Sequence, residues 1–518
     1  MATQEETIQT ILARIATLAP SATTSEKLAR LIEGGKYAIH SKSYPSLTAS
    51  QKAAKQAILD KSQTLLNAET DLEQFAWLNK ALDNYLFKSL DGTSFSATDL
   101  TTPMGGIYDE VNDCWYNIGS NIPVVQMQRR RVVCTGNPMF GGSVYGYLDA
   151  NNSALFENGT SATAYIAGGA LDGSLSTYQV YVEEPRFYHI QEKIGGLLYL
   201  AVGLAPFTIT TLSGKVLTST THPQFRKTGW TAGADGTDPA NEYKYAYKTA
   251  FEGVYFDASA TTQKTLSSGD LSTNGVTIDS VNDKILSVAN LSLYLQPATY
   301  ITRANARILI ANATNKQWSW HQYTATRLLY LCEYRNHNSQ SEIGGYTEGG
   351  GFTYAKVAPT GITSSLGNKT GTILNNGSVI PVIGGVSTSA AIGMSYRGEE
   401  NIFGNIWKWC DGINIQNQTA FACDINDTFA DDTFAGEYVQ LGVKMPAING
   451  YQAKIQSNFL PEAIGSSSAK DITDYYYQTS GNRVVLLGGY LLGGSDAGLA
   501  YLHCGYASSN VYASIGSR

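Results

Sequence analysis

The chain has 518 residues, of which 43% are apolar and 15% charged, with a formal net charge of -7 and an isoelectric point near 5.5. That length can bury several cores and suggests about three domains, while the mild acidity leaves no electrostatic footprint for nucleic acid or an anionic lipid surface. A count of 51 glycines and 33 tyrosines against 6 methionines points to turns and strands more than to long helices.

The opening residues, MATQEETIQ, lack the basic stretch and apolar core of a secretory leader. The longest apolar run, Ile194 to Phe207, is broken by glycines and too short to cross a bilayer. The expectation is a product made in the cytoplasm with no membrane insertion. The 6 cysteines, at positions 114, 134, 332, 410, 423 and 504, contain no C-x-x-C pair, which favours free thiols over disulfides or zinc.

Residues 1–90 read as a helical module. Ile8, Ile11, Leu12, Ile15 and Leu18 recur at helical spacing, with Pro20 just beyond. Thr23 with Glu26 and Thr48 with Gln51 are capping-box pairs that open further helices. Leu72, Phe75, Leu78, Leu82 and Tyr85 then alternate three- and four-residue steps, the pattern of a helical hairpin or of a short seam between chains.

Residues 91–185 change texture. Val132-Val133, Val144 to Leu148 and Tyr178 to Val182 are short, β-branched or aromatic runs separated by Gly, Asn, Ser and Asp. No helical crossover pattern separates them, so an antiparallel, sandwich-like β domain is expected, ending near Glu184.

Residues 186–518 form the third region. Residues 324–335 read as an amphipathic helix with Leu328, Leu331 and Cys332 inward. The densest stretch is Gly393 to Asn414. There Trp407 and Trp409 alternate with Lys408 and Cys410, which predicts a strand with both indoles on one face and a tight turn at Asp411-Gly412. Arg397, Glu399 and Glu400 precede it as a charged turn, beside Gly404 and Asn405, which suit tight or left-handed backbone. The acidic run Asp424, Asp427, Asp431 and Asp432 could hold a structural calcium ion, although a solvated acidic loop has the same pattern. No other metal or cofactor is expected.

Chemistry-bearing patterns are sparse. The 6 histidines (40, 189, 222, 321, 337 and 503) lack metal-ligand spacing, and no G-x-S-x-G elbow is present. The carboxylates of Glu183-Glu184 and Glu399-Glu400 are sequence neighbours, so in a strand each pair points to opposite faces and cannot flank one glycosidic bond.

The run Arg397 to Gly412, R-G-E-E-N-I-F-G-N-I-W-K-W-C-D-G, resembles the N-x-x-G-N-V-W-E-W-x-D-G signature of the C-type-lectin-like fold shared by formylglycine-generating enzymes and many bacteriophage receptor-binding proteins. The fold-signature residues are Arg397, which precedes the motif, and Asn401, Gly404, Asn405, Trp407, Trp409, Asp411 and Gly412, which match it. The resemblance covers residues 186–518. His222 to Phe225 with Tyr255 is similar to an earlier segment of that family, and Arg303 to Arg307, Trp318, and Tyr323 to Cys332 resemble its first and second helices and the tryptophan motif between them. Arg327 stands where the family usually has Glu.

The segment from Leu487 to Arg518 is similar to the family's terminal block, with Gly488, Gly489, Gly494, Ala497, Gly498, Leu502, Ala507, Ile515, Gly516 and Arg518 as framework. Between them lie Tyr490, Asp496, Tyr501, His503, Tyr506, Ser508, Ser509, Asn510 and Tyr512. Tyrosine, serine and asparagine among small residues are the chemistry of a binding surface, rigid rings beside adaptable hydrogen-bonding groups. In the phage relatives this block is the exposed ligand site, which makes Tyr490, Asp496, Tyr501, His503, Tyr506, Asn510 and Tyr512 the candidate ligand-binding residues.

The resemblance thus implies a multidomain α+β protein of a phage virion, a tail or head fibre with a C-terminal C-type-lectin-like domain. It would bind a host-surface glycan or protein, attach to other virion proteins through the N-terminal module, and form a homotrimer. A capsid-decoration role without receptor binding is the alternative. A formylglycine-type oxidase is the third reading, disfavoured because only Cys504 lies in the terminal block where those enzymes carry two cysteines. The expectation is therefore a non-enzymatic binder.

Overall fold

A computed structural model describes residues 102–169, 178–259, 262–264, 278–289, 295–347, 357–374, 392–423, 429, 432–465 and 472–518. The helical module expected over residues 1–90 lies outside the described residues. The chain divides into two compact units, and of the described residues only 102–104, 119–128 and 203–205 belong to the first. In that unit Val124–Met127 forms one helical turn. All that follows concerns the second unit.

Antiparallel sheets dominate. The first is four-stranded, built from β1 (Arg130–Cys134), β2 (Val144–Tyr147), β3 (Gln179–Pro185) and β4 (Tyr245–Thr249), in the order β4-β3-β1-β2 with every pair antiparallel. The strands predicted around Val132, Val144 and Tyr178 are thus present and antiparallel. The boundary placed near 185 is not a break in the fold, because β4 pairs with β3 across it and puts Tyr245 opposite Pro185. That pairing joins segments some sixty residues apart, and no local pattern announces it. Val133, Val180 and Val182 bury one side of this sheet with Phe251 and Ile166.

Two helices follow, α1 (Arg303–Ala311) and α2 (Trp320–Tyr334). Thr302 caps α1 by accepting from Asn305 N, and Ser319 with Gln322 makes a complete capping box for α2. Helix α2 therefore begins four residues before the predicted start. It is also buried nearly all round rather than amphipathic. Two of its buried polar side chains find partners inside the protein: Thr326 donates to Glu399 at 2.9 Å, and the Arg327 guanidinium lies 4.6 Å over the Phe459 ring while donating to the Phe459 carbonyl.

The site is carried by a nine-stranded sheet. Its strands are β5 (Trp407–Gln416), β6 (Thr419–Cys423), β7 (Tyr438–Leu441), β8 (Gly450–Ile455), β9 (Pro461–Gly465), β10 (Tyr475–Gln478), β11 (Asn482–Leu487), β12 (Leu502–Cys504) and β13 (Ile515–Gly516). The order is β7-β6-β5-β11-β12-β10-β8-β9, with β13 parallel to β5 and β10 parallel to β12. Helix α1 covers part of one face, where Ala306, Leu309 and Ile310 pack on Trp409, Val484 and Leu486.

The tight turn expected at Asp411-Gly412 is absent. Strand β5 runs on to Gln416, and the register against β11 jumps between Cys410 and Asn414, so Asp411-Gly412 sits in a bulge. Gly412 supplies the left-handed φ of 69° the bulge needs. Asp411 is spent structurally: its two carboxylate oxygens accept from Arg307 at 2.7 Å each.

Candidate ring site on the nine-stranded sheet

The residues before β5 hold the terminal segment in place. Asn401 and Asn405, both at positive φ, direct their side-chain amides to the buried Glu252 carboxylate, and the same carboxylate pairs with Lys408 at 3.0 Å. Lys408 also donates to the Gly404 and Ile406 carbonyls at 2.9 Å, so this buried ammonium has its donors matched. Gly404 N donates to Gly488 O, Leu491 N to Asn405 O, and Trp407 N to Ser514 O. Arg397 pairs with Glu333. Backbone hydrogen bonds at Gly404, Asn405 and Trp407 thus pin the segment 488–514 to the signature stretch.

The charges of the turn before β5 are buried, not solvated. Glu399 pairs with Arg129 and lies 3.6 Å from Arg518, while Glu184 is ion-paired with Arg129 at 3.0 Å and accepts from Lys248 at 3.1 Å. Glu400 turns the other way, accepting from Gly361 N and Thr363. Glu183 likewise faces Arg130 and Tyr247, away from Glu184. Strand alternation separates the members of each pair, while Glu184 and Glu399, one from each, meet across Arg129.

The indoles of Trp407 and Trp409 share a face, as period two requires, yet their fates differ. Trp409 is sealed in the core and donates from Nε1 to Ile301 O at 2.9 Å. Trp407, two residues earlier, packs at the margin of that core and is partly exposed. Tyr490 stacks on it with centroids 4.0 Å apart, His503 lies at 5.3 Å, and Tyr501 and Tyr506 at 6.4 Å. From His503 the rings continue to Tyr477 at 4.7 Å and Tyr506 at 4.5 Å, and from Tyr506 to Tyr512 at 5.1 Å.

Register explains the grouping. Trp409 lies opposite Leu486, Leu486 opposite His503, and His503 opposite Tyr477, so one row crosses four strands on a single face. Exposure along that row is 0%, 0%, 4% and 37%. The ring face is the continuation of the dry core beyond the cover of α1.

Five of the predicted ligand residues, Tyr490, Tyr501, His503, Tyr506 and Tyr512, thus converge. Tyr501 is mostly sunk, while Tyr512 is 43% exposed. Two others stand apart. Asp496 accepts from the Tyr451 hydroxyl at 2.7 Å, and the Asn510 side chain accepts from Ala507 N at 2.8 Å, bracing its own turn. Ser508 donates to Asp432. Sequence reasoning missed Trp407, which it assigned to the framework alone, and Tyr477, which lies outside the terminal block. The alternation Tyr475-Tyr476-Tyr477 was the available signal: Tyr476 is buried and its neighbours are not.

The electrostatics are those of a neutral surface. Burial holds the His503 imidazole down to about 4, so it is uncharged near neutrality, and burial also raises the phenols of Tyr490, Tyr501 and Tyr506. Cys410 and Cys504 are buried and burial pushes both thiols up, which keeps them protonated and poorly nucleophilic. Of the acidic run weighed for calcium, Asp424, Asp427 and Asp431 lie outside the described residues; the Asp432 carboxylate accepts from Arg303 at 3.4 Å as well as from Ser508. Among the described residues no group of three or more His, Cys, Asp or Glu side chains is placed to hold a metal ion, and no helix is long and apolar enough to cross a membrane.

No model of a known protein family matches this chain, and no curated protein matches it.

Proposed function

We propose that this chain is a bacteriophage virion protein that binds a host-cell surface receptor through the ring face of a C-type-lectin-like domain, without catalysing a reaction. The observation that carries the reading is the convergence of Tyr490, Tyr501, His503, Tyr506 and Tyr512 with Trp407 and Tyr477 on a sheet face that α1 leaves uncovered. Rings held by a rigid sheet lose little conformational freedom on binding, and their hydroxyls supply directional contacts. The framework supports it too, since the signature residues fasten the segment that carries most of these rings. Weak single sites would be compensated by a homotrimer displayed in many copies, with the N-terminal module as the attachment to other virion proteins.

The test is a set of particles carrying Tyr477→Ala, Tyr490→Ala, Tyr506→Ala and Tyr512→Ala together. Lost adsorption with normally assembled particles is the expected result. Unchanged adsorption would leave a decoration role for the chain and end the receptor reading.

A further inference from the structure

Resting on that receptor reading, we infer that the ring face takes a linear, uncharged glycan chain laid lengthwise from Tyr477 to Tyr512, instead of one terminal sugar or a charged group. The rings form a ladder. Tyr477 stacks on His503 at 4.7 Å and 16°, His503 meets Tyr506 at 4.5 Å and 33°, and Tyr506 stacks on Tyr512 at 5.1 Å and 28°. The end rings stand out, Tyr477 at 37% and Tyr512 at 43% exposure, while His503 between them is 4% exposed. A ligand that touches both end rings passes over the sunken His503 between them.

The three successive spacings are each about the width of one sugar ring, so a chain of several sugars, and not a single one, reaches both exposed end rings. Trp407 and Tyr490, stacked at 4.0 Å, flank the ladder where Trp407 reaches His503 and Tyr506, and they widen the floor there. Aromatic rings cover the apolar C–H faces of sugars, and phenolic hydroxyls exchange hydrogen bonds with sugar hydroxyls. A globular protein partner commonly needs about 800 Å² on each side, which a single file of rungs does not suggest.

Charge selects among glycans. The ladder consists of phenols and a histidine that burial keeps neutral, and the charge that acts on the neighbouring Tyr490 and Tyr501 is the Asp496 carboxylate. A uronic acid or a phosphate would bring a full charge to rings that carry none to pair with it, whereas a neutral chain needs no such partner.

The experiment uses the full chain and sized fragments of the surface polysaccharide from bacteria that adsorb it, measured by calorimetry from one sugar unit upward. Affinity should rise at least about tenfold between one and four units and then level off. Tyr477→Ala and Tyr512→Ala, both at exposed ends of the ladder, should each weaken binding of the longer fragments several-fold while leaving the melting temperature unchanged. A flat length dependence, or preference for charged fragments, would overturn the inference. Periodate- and protease-treated cells separate the two levels of the claim. Binding that survives periodate but not protease would overturn the glycan and leave receptor binding in place, whereas no binding to any cell would remove both.

Discussion

Two regions of one unit handle their exposed and buried groups in opposite ways. Around Arg129, Glu184, Lys248, Glu399 and Arg518, full charges are taken out of water and matched with one another. Around Trp407, Tyr490, Tyr506 and Tyr512, rings that could have been buried are left partly in water. Burying an ion pair gives little net stability, because desolvation offsets the attraction, but it makes the arrangement hard to change. Leaving rings exposed forgoes burial of apolar area. The first region fixes geometry, and the second uses it.

The largest effect should come from the charged region. Glu399→Ala strands Arg129 and Arg518 without a carboxylate they now share, and breaking such a buried pair costs about 3–5 kcal/mol. Urea unfolding should register that loss, while the fraction that remains folded keeps its ligand affinity. A smaller loss is expected for Gly404→Ala, where φ is 73° and a Cβ would lie 2.8 Å from the Tyr346 carbonyl. Strain of that kind costs about 1–3 kcal/mol, and a thermal melt measures it. By contrast Tyr512→Ala removes an exposed ring, so its melting curve should stay within about 0.5 kcal/mol of wild type, with binding reduced nonetheless.

Acid provides a further way to separate the regions. Burial depresses His189 and His503 to about 4 from an ordinary 6.5. The unfolded chain therefore takes up protons below about 6.5 that the folded chain refuses, and stability should fall as pH drops from there towards 4. Asp474 has the opposite sign. Burial raises its carboxyl to about 7 from 3.8, so the stability it lends is present below 3.8 and lost as pH rises through 7. Asp474→Asn keeps an acceptor for Ala500 N and should flatten that loss, making the variant the more stable protein at pH above 7 and near-neutral at low pH. Unfolding free energies measured across pH would check both signs.

What the sequence disclosed follows the range of the interactions involved. The shared face of Trp407 and Trp409 is a property of adjacent residues, and it was legible. So was the content of the terminal block, five of whose candidate side chains meet. Tyr477 was not, because its place beside His503 depends on a parallel pairing of β10 with β12, between which β11 intervenes in sequence. The burial of Glu399 and Glu400 was hidden for a similar reason: their partners Arg129, Arg518 and Thr363 come from distant parts of the chain. A bulge and a turn share the pair Asp411-Gly412, and only the partner strand decides between them.

The most direct test of the ring face is tyrosine footprinting of the full chain by hydroxyl radicals, with and without envelope from adsorbing cells. Protection should fall on Tyr477, Tyr490, Tyr506 and Tyr512, while Tyr145, more exposed than any of them at 49%, stays reactive. Unchanged labelling of those four tyrosines in the presence of bound envelope would contradict the account.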